Sequence, residues 1–213
     1  MYPKPIKNFV DRFSKLPSVG PRQAARLAFW LLNQPKAYRA ELKKALEDLE
    51  KETKTCQKCF FVIDGSASLT IKNGENKCAF CDNPARDRKT ICVVEKETDL
   101  ATIEKSGVYK GLYHVLGGLF SALDTAVPKN LRLPELLARI QENKKSKGDI
   151  EEVILALSPT HEGDLTAHYL ERALKPFKIK ITRLGRGLPY GADVEFADAE
   201  TLSGALEGRK EIK

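Results

Sequence analysis

The 213-residue chain contains no long apolar run. Its longest uninterrupted apolar stretch covers residues 27 to 32, whereas a membrane-spanning helix needs about 20 apolar residues. The chain begins Met-Tyr-Pro-Lys, without the charged and then apolar leader of a secreted protein. We therefore expect a cytoplasmic protein with no membrane anchor, whose cysteines do not meet an oxidising compartment.

The lack of a phosphate loop and the small number of histidines limit the reactions that this chain could catalyse. The sequence has no G-x-x-x-x-G-K-[ST] phosphate loop, which argues against an ATPase. It has only 3 histidines. His114 and His168 are interpreted as packed or surface residues, and His161, beside Glu162, as a loop residue that lies near an acid.

The net charge of +7 is concentrated at the start of the chain. Residues 1 to 53 carry 11 Lys and Arg against 6 Asp and Glu, and residues 54 to 90 carry 7 against 4. Residues 91 to 213 carry 18 against 19 and are nearly neutral. This distribution favours a polyanion as the partner of the first 90 residues.

Four of the five cysteines form two close pairs, Cys56 with Cys59 and Cys78 with Cys81. A two-residue gap inside each pair suits tetrahedral zinc, so the pattern predicts a Cys₄ zinc ribbon. Two disulfides are the alternative, although nothing in the sequence points to an oxidising compartment. A closed Cys₄ site has no open coordination position, so the zinc is expected to stabilise the fold only. The fifth cysteine, Cys92, is interpreted as a small core residue.

The residues between the two pairs predict a β-hairpin. One apolar run covers residues 60 to 63, a second lies near residues 69 to 71, and an Asn73-Gly74 turn signal follows. Each cysteine pair would then lie on its own turn, with its sulfurs facing the other pair.

The first 53 residues show the apolar periodicity of helices. Two helical series flank residues 17 to 21, and a third runs from residue 37 to about residue 51. Gly20 is expected to relieve the steric limit of the turn. Pro21 suits the first position of a helix, where its missing N–H costs nothing.

This arrangement resembles a helix-hairpin-helix, which binds DNA backbone without reading its sequence. The start of the second helix offers backbone N–H groups to a phosphate. Arg22 and Arg26, one turn apart, would reinforce that binding from one helix face. An ordinary αα-turn with a solvated helix face is the alternative.

From residue 90 onwards, strands alternate with helices. Strands are predicted at residues 91–94, 112–116, 153–157 and 179–184, and helices at residues 99–105, 134–143 and 164–175. This alternation predicts a mostly parallel α/β sheet.

Acidic residues lie at the carboxyl ends of two of these strands, where such sheets bind ligands. They are Glu95 and the Glu162-Gly163-Asp164 triplet. Three convergent carboxylates could hold Mg²⁺ and support phosphoryl transfer. The layout resembles a Toprim domain, although its catalytic members carry Asp-x-Asp where this chain has Glu-x-Asp. The alternative is that these acids cap a helix and bind metal weakly or not at all.

The order of these parts resembles the RecR family of bacterial recombination mediators from end to end. The most specific stretches are residues 16–28, 113–118, 159–167 and 181–189. The resemblance implies an α/β chain of four parts: a helix-hairpin-helix domain (1–53), a Cys₄ zinc ribbon (54–84), a Toprim-like domain (85–178) and a C-terminal segment (179–213). It also implies that residues 193–198 form a Walker-B-like acidic stretch, which we interpret as an acidic tail strand.

The resemblance further implies a non-enzymatic clamp for DNA repair. Protomers would join into dimers and a ring-like tetramer that encircles DNA, and would act with RecO and RecF to load the recombinase on gapped or single-stranded DNA. Arg22 and Arg26 would contact DNA, while Glu162 and Asp164 would lie on the acidic surface that contacts a partner protein.

Three hypotheses from different classes follow. The first is the DNA-encircling scaffold. The second is a Mg²⁺-dependent nuclease or another phosphoryl-transfer enzyme, which the Glu-x-Asp triplet argues against. The third is an oligomeric adaptor that does not bind DNA, which the positive charge of the first 90 residues argues against.

Overall fold

The computed structural model describes residues 2–65, 71–72, 75–121, 131–145 and 150–211. The chain divides into two compact units, Met1–Thr53 and Lys54–Lys213. None of the helices in the described ranges is both long and apolar enough to cross a membrane.

The first unit consists of three helices, α1 (Lys4–Phe13), α2 (Pro21–Leu32) and α3 (Lys36–Lys51). Proline occupies the first turn of α1 and of α2, where its missing N–H breaks no helical hydrogen bond. Among these helices only small side chains are fully buried, namely Ala24, Ala25 and Ala28 of α2. Larger apolar side chains remain exposed, including Trp30, Leu46 and Leu49. This unit therefore buries little apolar surface as a single copy.

The second unit is built on a four-stranded parallel sheet. Its strands are β5 (Thr90–Val94), β6 (Leu112–Val115), β7 (Glu152–Ala156) and β8 (Lys180–Arg183), in the order β6-β5-β7-β8. The register pairs Ile91 with Leu112 on one side of β5 and with Val153 on the other. The predicted mostly parallel α/β sheet is confirmed, and each predicted strand agrees with an observed one to within one residue.

Helices cover both faces of this sheet, as parallel strands require. Helices α6 (Leu133–Lys145) and α7 (His161–Leu174) bury their apolar side chains against one face. Helix α5 (Glu97–Ser106) packs on the opposite face and ends at Gly107, whose φ of +71° suits glycine. Cys92 lies on that opposite face as a core residue, and burial raises the pKa of its thiol to about 12.

The described part of the cysteine-rich segment forms two small two-stranded sheets. Strand β1 (Thr53–Thr55) pairs with β2 (Val62–Asp64), and β3 (Ile71–Lys72) pairs with β4 (Glu75–Asn76). Residues 66–70 lie outside the described residues, so the predicted pairing of the run at residues 60–63 with the run at 69–71 stays a prediction. The Asn73-Gly74 turn signal lies outside the described residues. A short helix, α4 (Ala79–Asp82), contains Cys81.

Two other local predictions are corrected. Helix α7 begins at His161 and not at residue 164, because the Thr160 side chain caps it by accepting a hydrogen bond from Gly163 N–H. The acidic segment at residues 193–198 is not a strand: Val194–Phe196 form a 3-10 turn, and Asp198 caps helix α8 (Ala199–Glu207). Strand β8 belongs to the sheet by its hydrogen bonding, whereas the sequence-based division places it in the C-terminal segment.

His114 of β6 is completely buried. Its Nε2 lies 2.9 Å from the Arg132 carbonyl, while Nδ1 has no hydrogen-bond partner among the described residues. Burial lowers the pKa of His114 from 6.5 to about 3, because the charged imidazolium would lose its hydration. The histidine is therefore neutral in the folded protein at any pH near neutrality.

This burial predicts acid sensitivity. Below pH 6.5 His114 is protonated in the unfolded chain but stays neutral in the folded chain. The free energy of unfolding therefore falls by up to about 1.4 kcal/mol for each unit that the pH is lowered. Between pH 7.5 and pH 5 we expect His114→Gln to lose about 2 kcal/mol less of its unfolding free energy than the wild type does. Urea unfolding at several pH values measures this difference. His168→Gln, at an exposed position, should keep the wild-type slope, and equal slopes for all three proteins would contradict the prediction.

Candidate metal centre, hairpin and acidic sheet edge

The four paired cysteines meet in one buried cluster. Their sulfur atoms all lie within 4.8 Å of one another, and those of Cys59 and Cys78 are 3.3 Å apart. A disulfide has an S–S bond of about 2.05 Å, and all the cysteines are free thiols. The disulfide alternative is therefore excluded, and the structure brings together the four cysteines that the sequence paired.

The chemistry of this cluster suits a metal. Hydrogen bonds from the other three thiols, Cys59 first, lower the pKa of Cys56, whereas the hydrogen bond with Cys56 raises the pKa of Cys59. The thiols thus share protons in a space from which water is excluded. At a Zn–S distance of about 2.3 Å, tetrahedral zinc needs sulfurs about 3.8 Å apart. The observed spacing is compatible with that geometry after small side-chain adjustments.

The cluster is attached to the edge of the parallel sheet. Val115 N–H of β6 donates to the Cys59 carbonyl at 2.8 Å. The next residue, Phe60, has a φ of +64°, an unfavourable conformation for a residue other than glycine. Its ring contacts the imidazole of His114 edge-on, and the Arg132 guanidinium lies 4.9 Å from the centre of that ring. Packing on the sheet therefore compensates for the backbone strain beside Cys59.

The hairpin of the first unit presents the start of α2 to solvent. The first helical hydrogen bond runs from Ala24 N–H to the Gly20 carbonyl, so the amides of Arg22 and Gln23 precede it, and no side chain caps them. The side chains of Arg22 and Arg26 are exposed near these amides. The structure thus places both predicted arginines where an anion could reach them.

The turn itself differs from the expectation. Gly20 has a φ of −81°, which any residue adopts, and open space surrounds its Cα. The left-handed conformation belongs to Ser18, with a φ of 62°. The expectation that Gly20 relieves the turn is therefore wrong, since the strained position lies two residues earlier.

The acids at the carboxyl ends of the strands do not form a metal site of the kind that the cysteines form. Among the described residues, the cysteines are the one group of three or more potential ligands whose donor atoms lie close together. Glu95 is half-buried at the end of β5, and Glu162 is exposed in the first turn of α7. A cavity of about 620 Å³ lies at this end of the sheet, but none of the three acids lines it.

Asp164 is held by two arginines that the sequence analysis did not single out. Its Oδ1 accepts a hydrogen bond from Arg183 Nη2 at 2.7 Å and another from Arg186 Nη2. These bonds, that of Arg183 first, keep the pKa of Asp164 below its ordinary value. The signal that could have revealed them is the pair of arginines three residues apart at the end of the last predicted strand.

Gly163 has a steric role between the two acids. A Cβ at this position would lie 2.0 Å from the Ser158 carbonyl oxygen. The glycine thus lets the first turn of α7 pack against the end of the β7–α7 loop, which explains the acid-Gly-acid pattern without a metal.

These features together define a class of protein: a helix-hairpin-helix unit joined to a four-cysteine cluster and a Toprim-like sheet. Family models match in the same order, as the helix-hairpin-helix of RecR at residues 6–49, a Toprim domain at residues 89–185 and the C-terminal part of RecR at residues 187–210.

Curated relatives cover nearly the whole chain. A protein named Recombination protein RecR from Roseiflexus sp. (strain RS-1) is 42% identical over 210 residues, which are 99% of this chain and 95% of the relative. The proteins of the same name from Chlorobium chlorochromatii (strain CaD3) and Roseiflexus castenholzii (strain DSM 13941 / HLO8) are 44% and 41% identical over 96% and 99% of this chain, and 95% of each relative is covered. The chain belongs to the RecR family of recombination proteins, which confirms the resemblance found in the sequence.

The strained turn predicts a stabilising substitution. Ser18→Gly should raise the unfolding free energy by about 0.5–1 kcal/mol, because a left-handed conformation costs an ordinary residue about 1–2 kcal/mol and glycine's greater freedom in the unfolded chain offsets part of that gain. Denaturant unfolding measures the change. Gly20→Ala is the matched control and should not share the gain, because Gly20 has no left-handed φ to relieve and is the N-cap of α2, where alanine is disfavoured. A less stable Ser18→Gly variant would show that the serine side chain stabilises the turn.

Proposed function

We propose that this protein is a non-enzymatic DNA clamp that acts in recombinational repair. Its family membership supports a role in recombination, and the exposed start of α2 is the observation that carries DNA binding. In this proposal the protein binds gapped or single-stranded DNA and acts with RecO and RecF to load the recombinase.

DNA binding is assigned to the hairpin because two kinds of anion-binding group coincide there. The N-terminal amides of a helix and its dipole attract phosphate. Arg22 and Arg26 add positive charge on the same helix, in a unit whose net charge is positive. These groups recognise phosphates and not base edges, so binding should show little sequence preference.

Self-association is assigned to the apolar surface of the first unit. A groove of about 390 Å³ lies between α1, α2 and α3. It is lined almost entirely by apolar side chains, among them Phe9, Phe13, Leu31, Leu42 and Leu46. An apolar groove of this kind on a small helical unit supports burial by another copy, and repeated association would lead to the ring-like tetramer.

The Toprim-like sheet is assigned a binding role without catalysis. The arginines that hold Asp164 supply positive charge where a catalytic member would need a metal ion. Glu162 remains exposed beside them, so we assign the main acidic contact with the partner protein to Glu162. Asp164 would then act by shaping that surface.

The cysteine cluster is assigned one structural zinc ion per chain. Cys56, Cys59, Cys78 and Cys81 would supply all four ligands, leaving no position for substrate. When bound, the metal would supply folding free energy at the edge of the sheet.

Loss of a cysteine should therefore release the metal. We expect Cys59→Ser or Cys78→Ser to abolish zinc binding and to lower the melting temperature, because the remaining thiolates lose a shared cation. Metal analysis of the purified proteins and thermal unfolding measure both effects. Cys92→Ser, outside the cluster, should keep its zinc. Purified wild-type protein that is fully stable without metal would contradict the assignment.

The hairpin predicts the salt dependence of DNA binding. We expect Arg22→Glu with Arg26→Glu to weaken binding at least tenfold and to reduce the slope of log affinity against log salt by about two per protomer, because two phosphate contacts are lost. Titration of fluorescent DNA at several salt concentrations measures this. Lys36→Glu with Lys44→Glu on α3 makes the same change in net charge away from the hairpin and should bind more tightly than the arginine variant. If the arginine variant assembles normally and binds like the wild type, the hairpin serves assembly alone, as the adaptor hypothesis requires.

A further inference from the structure

Arg139, which projects from α6, is a buried cation of the second unit. Its side chain is 8% exposed, and Nη1 donates to two backbone carbonyls, to Tyr113 O at 2.6 Å and to Lys58 O at 3.1 Å. Tyr113 belongs to β6, and Lys58 lies between Cys56 and Cys59. The guanidinium therefore reaches from the helix to the loop that carries the first cysteine pair.

Two neutral carbonyls do not balance a buried charge. Removing a guanidinium from water costs several kcal/mol unless an opposite charge lies nearby. In the described part of the chain, Arg139 takes part in none of the ion pairs, whereas Arg132, which also contacts the cysteine loop, lies 4.0 Å from a Glu97 carboxylate oxygen. Two carboxylate residues, Asp82 and Glu142, line one small cavity with Arg139, where Glu142 pairs with Lys58, and the cavity also borders the cysteine cluster, a further source of negative charge.

The cysteine cluster can supply that charge. Arg139 and Cys81 both line this cavity of about 180 Å³, and Nη1 of Arg139 donates to the Lys58 carbonyl, between Cys56 and Cys59. Four thiolates around a dication carry a net charge of −2. A loaded site would therefore attract the guanidinium across the sheet edge.

We propose that Arg139 is the counter-ion of the metal centre, a positioning residue that offsets the negative charge of the four thiolates and holds the Lys58 loop in place. The inference rests on the proposed zinc site. In this proposal α6 supports the zinc site through Arg139, although none of its residues is a ligand of the metal.

The test separates charge from packing. Arg139→Gln keeps hydrogen-bond donors without the charge, and Arg139→Lys keeps the charge without the planar fork. We expect Arg139→Gln to weaken zinc binding by tenfold or more, as measured by competition with a chromogenic chelator, because partners outside the ligand shell typically contribute 10–100-fold in metal affinity. Arg139→Lys should stay within about threefold of the wild type. Arg132→Gln, the matched control, should bind zinc like the wild type.

A second substitution tests the electrostatic origin of the effect. Cys81→His lowers the net charge of the loaded site from −2 to −1, which halves its Coulomb attraction to Arg139. A tenfold effect of Arg139→Gln should then shrink to about threefold in the Cys81→His protein. A loss of equal size in both proteins would show that Arg139 acts by packing alone and would overturn the inference.

The remaining outcomes are also decisive. If wild-type protein holds one zinc and Arg139→Gln binds it equally well, the counter-ion role fails while the zinc site stands. If wild-type protein holds no metal, both fail. Should Arg139→Gln not fold, Arg139→Lys decides the matter, because a tenfold loss of zinc affinity in that charge-preserving variant would overturn the inference.

Discussion

The second unit depends on the way the cysteine cluster covers the outer edge of β6. An edge strand carries unpaired backbone groups that invite association with other chains. Here the Cys59 carbonyl accepts the Val115 N–H, and Arg139 donates to the Tyr113 carbonyl. A segment with too little apolar surface to fold alone thus completes a sheet, and the sheet in turn compensates for the strain at Phe60. Metal binding and sheet stability are therefore expected to be coupled.

Charge is distributed differently over the two units. The first unit is positive and leaves the amides and arginines at the start of α2 in solvent, which suits binding to a polyanion. The second unit is nearly neutral overall, and it pairs Asp164 internally with Arg183 and Arg186. These two ion pairs fix the position of the Asp164 carboxylate beside the exposed Glu162. This contrast favours a scaffold that holds DNA with one part and proteins with the other.

Much of this architecture could be predicted from local patterns. Strong apolar periodicity located the sheet strands to within one residue, because a strand buried on both faces must be apolar along its whole length. Cysteine spacing identified the cluster for a similar reason, since zinc accepts few ligand geometries. The tail strand was predicted wrongly, because weak local β-propensity there is overridden by the cap that Asp198 provides for α8.

The sequence by itself determined the order of the parts, the four thiols that meet and the positive charge of the first unit. These depend on spacing and composition, which no later packing can alter. Tertiary structure alone decided which cations lie beside which anions. Arg183 and Arg186 reach Asp164, and Arg139 reaches the Lys58 carbonyl, 81 positions away in the sequence. Such contacts form only after the backbone has brought separate elements together. It also decided that Ser18, and not Gly20, adopts the left-handed conformation.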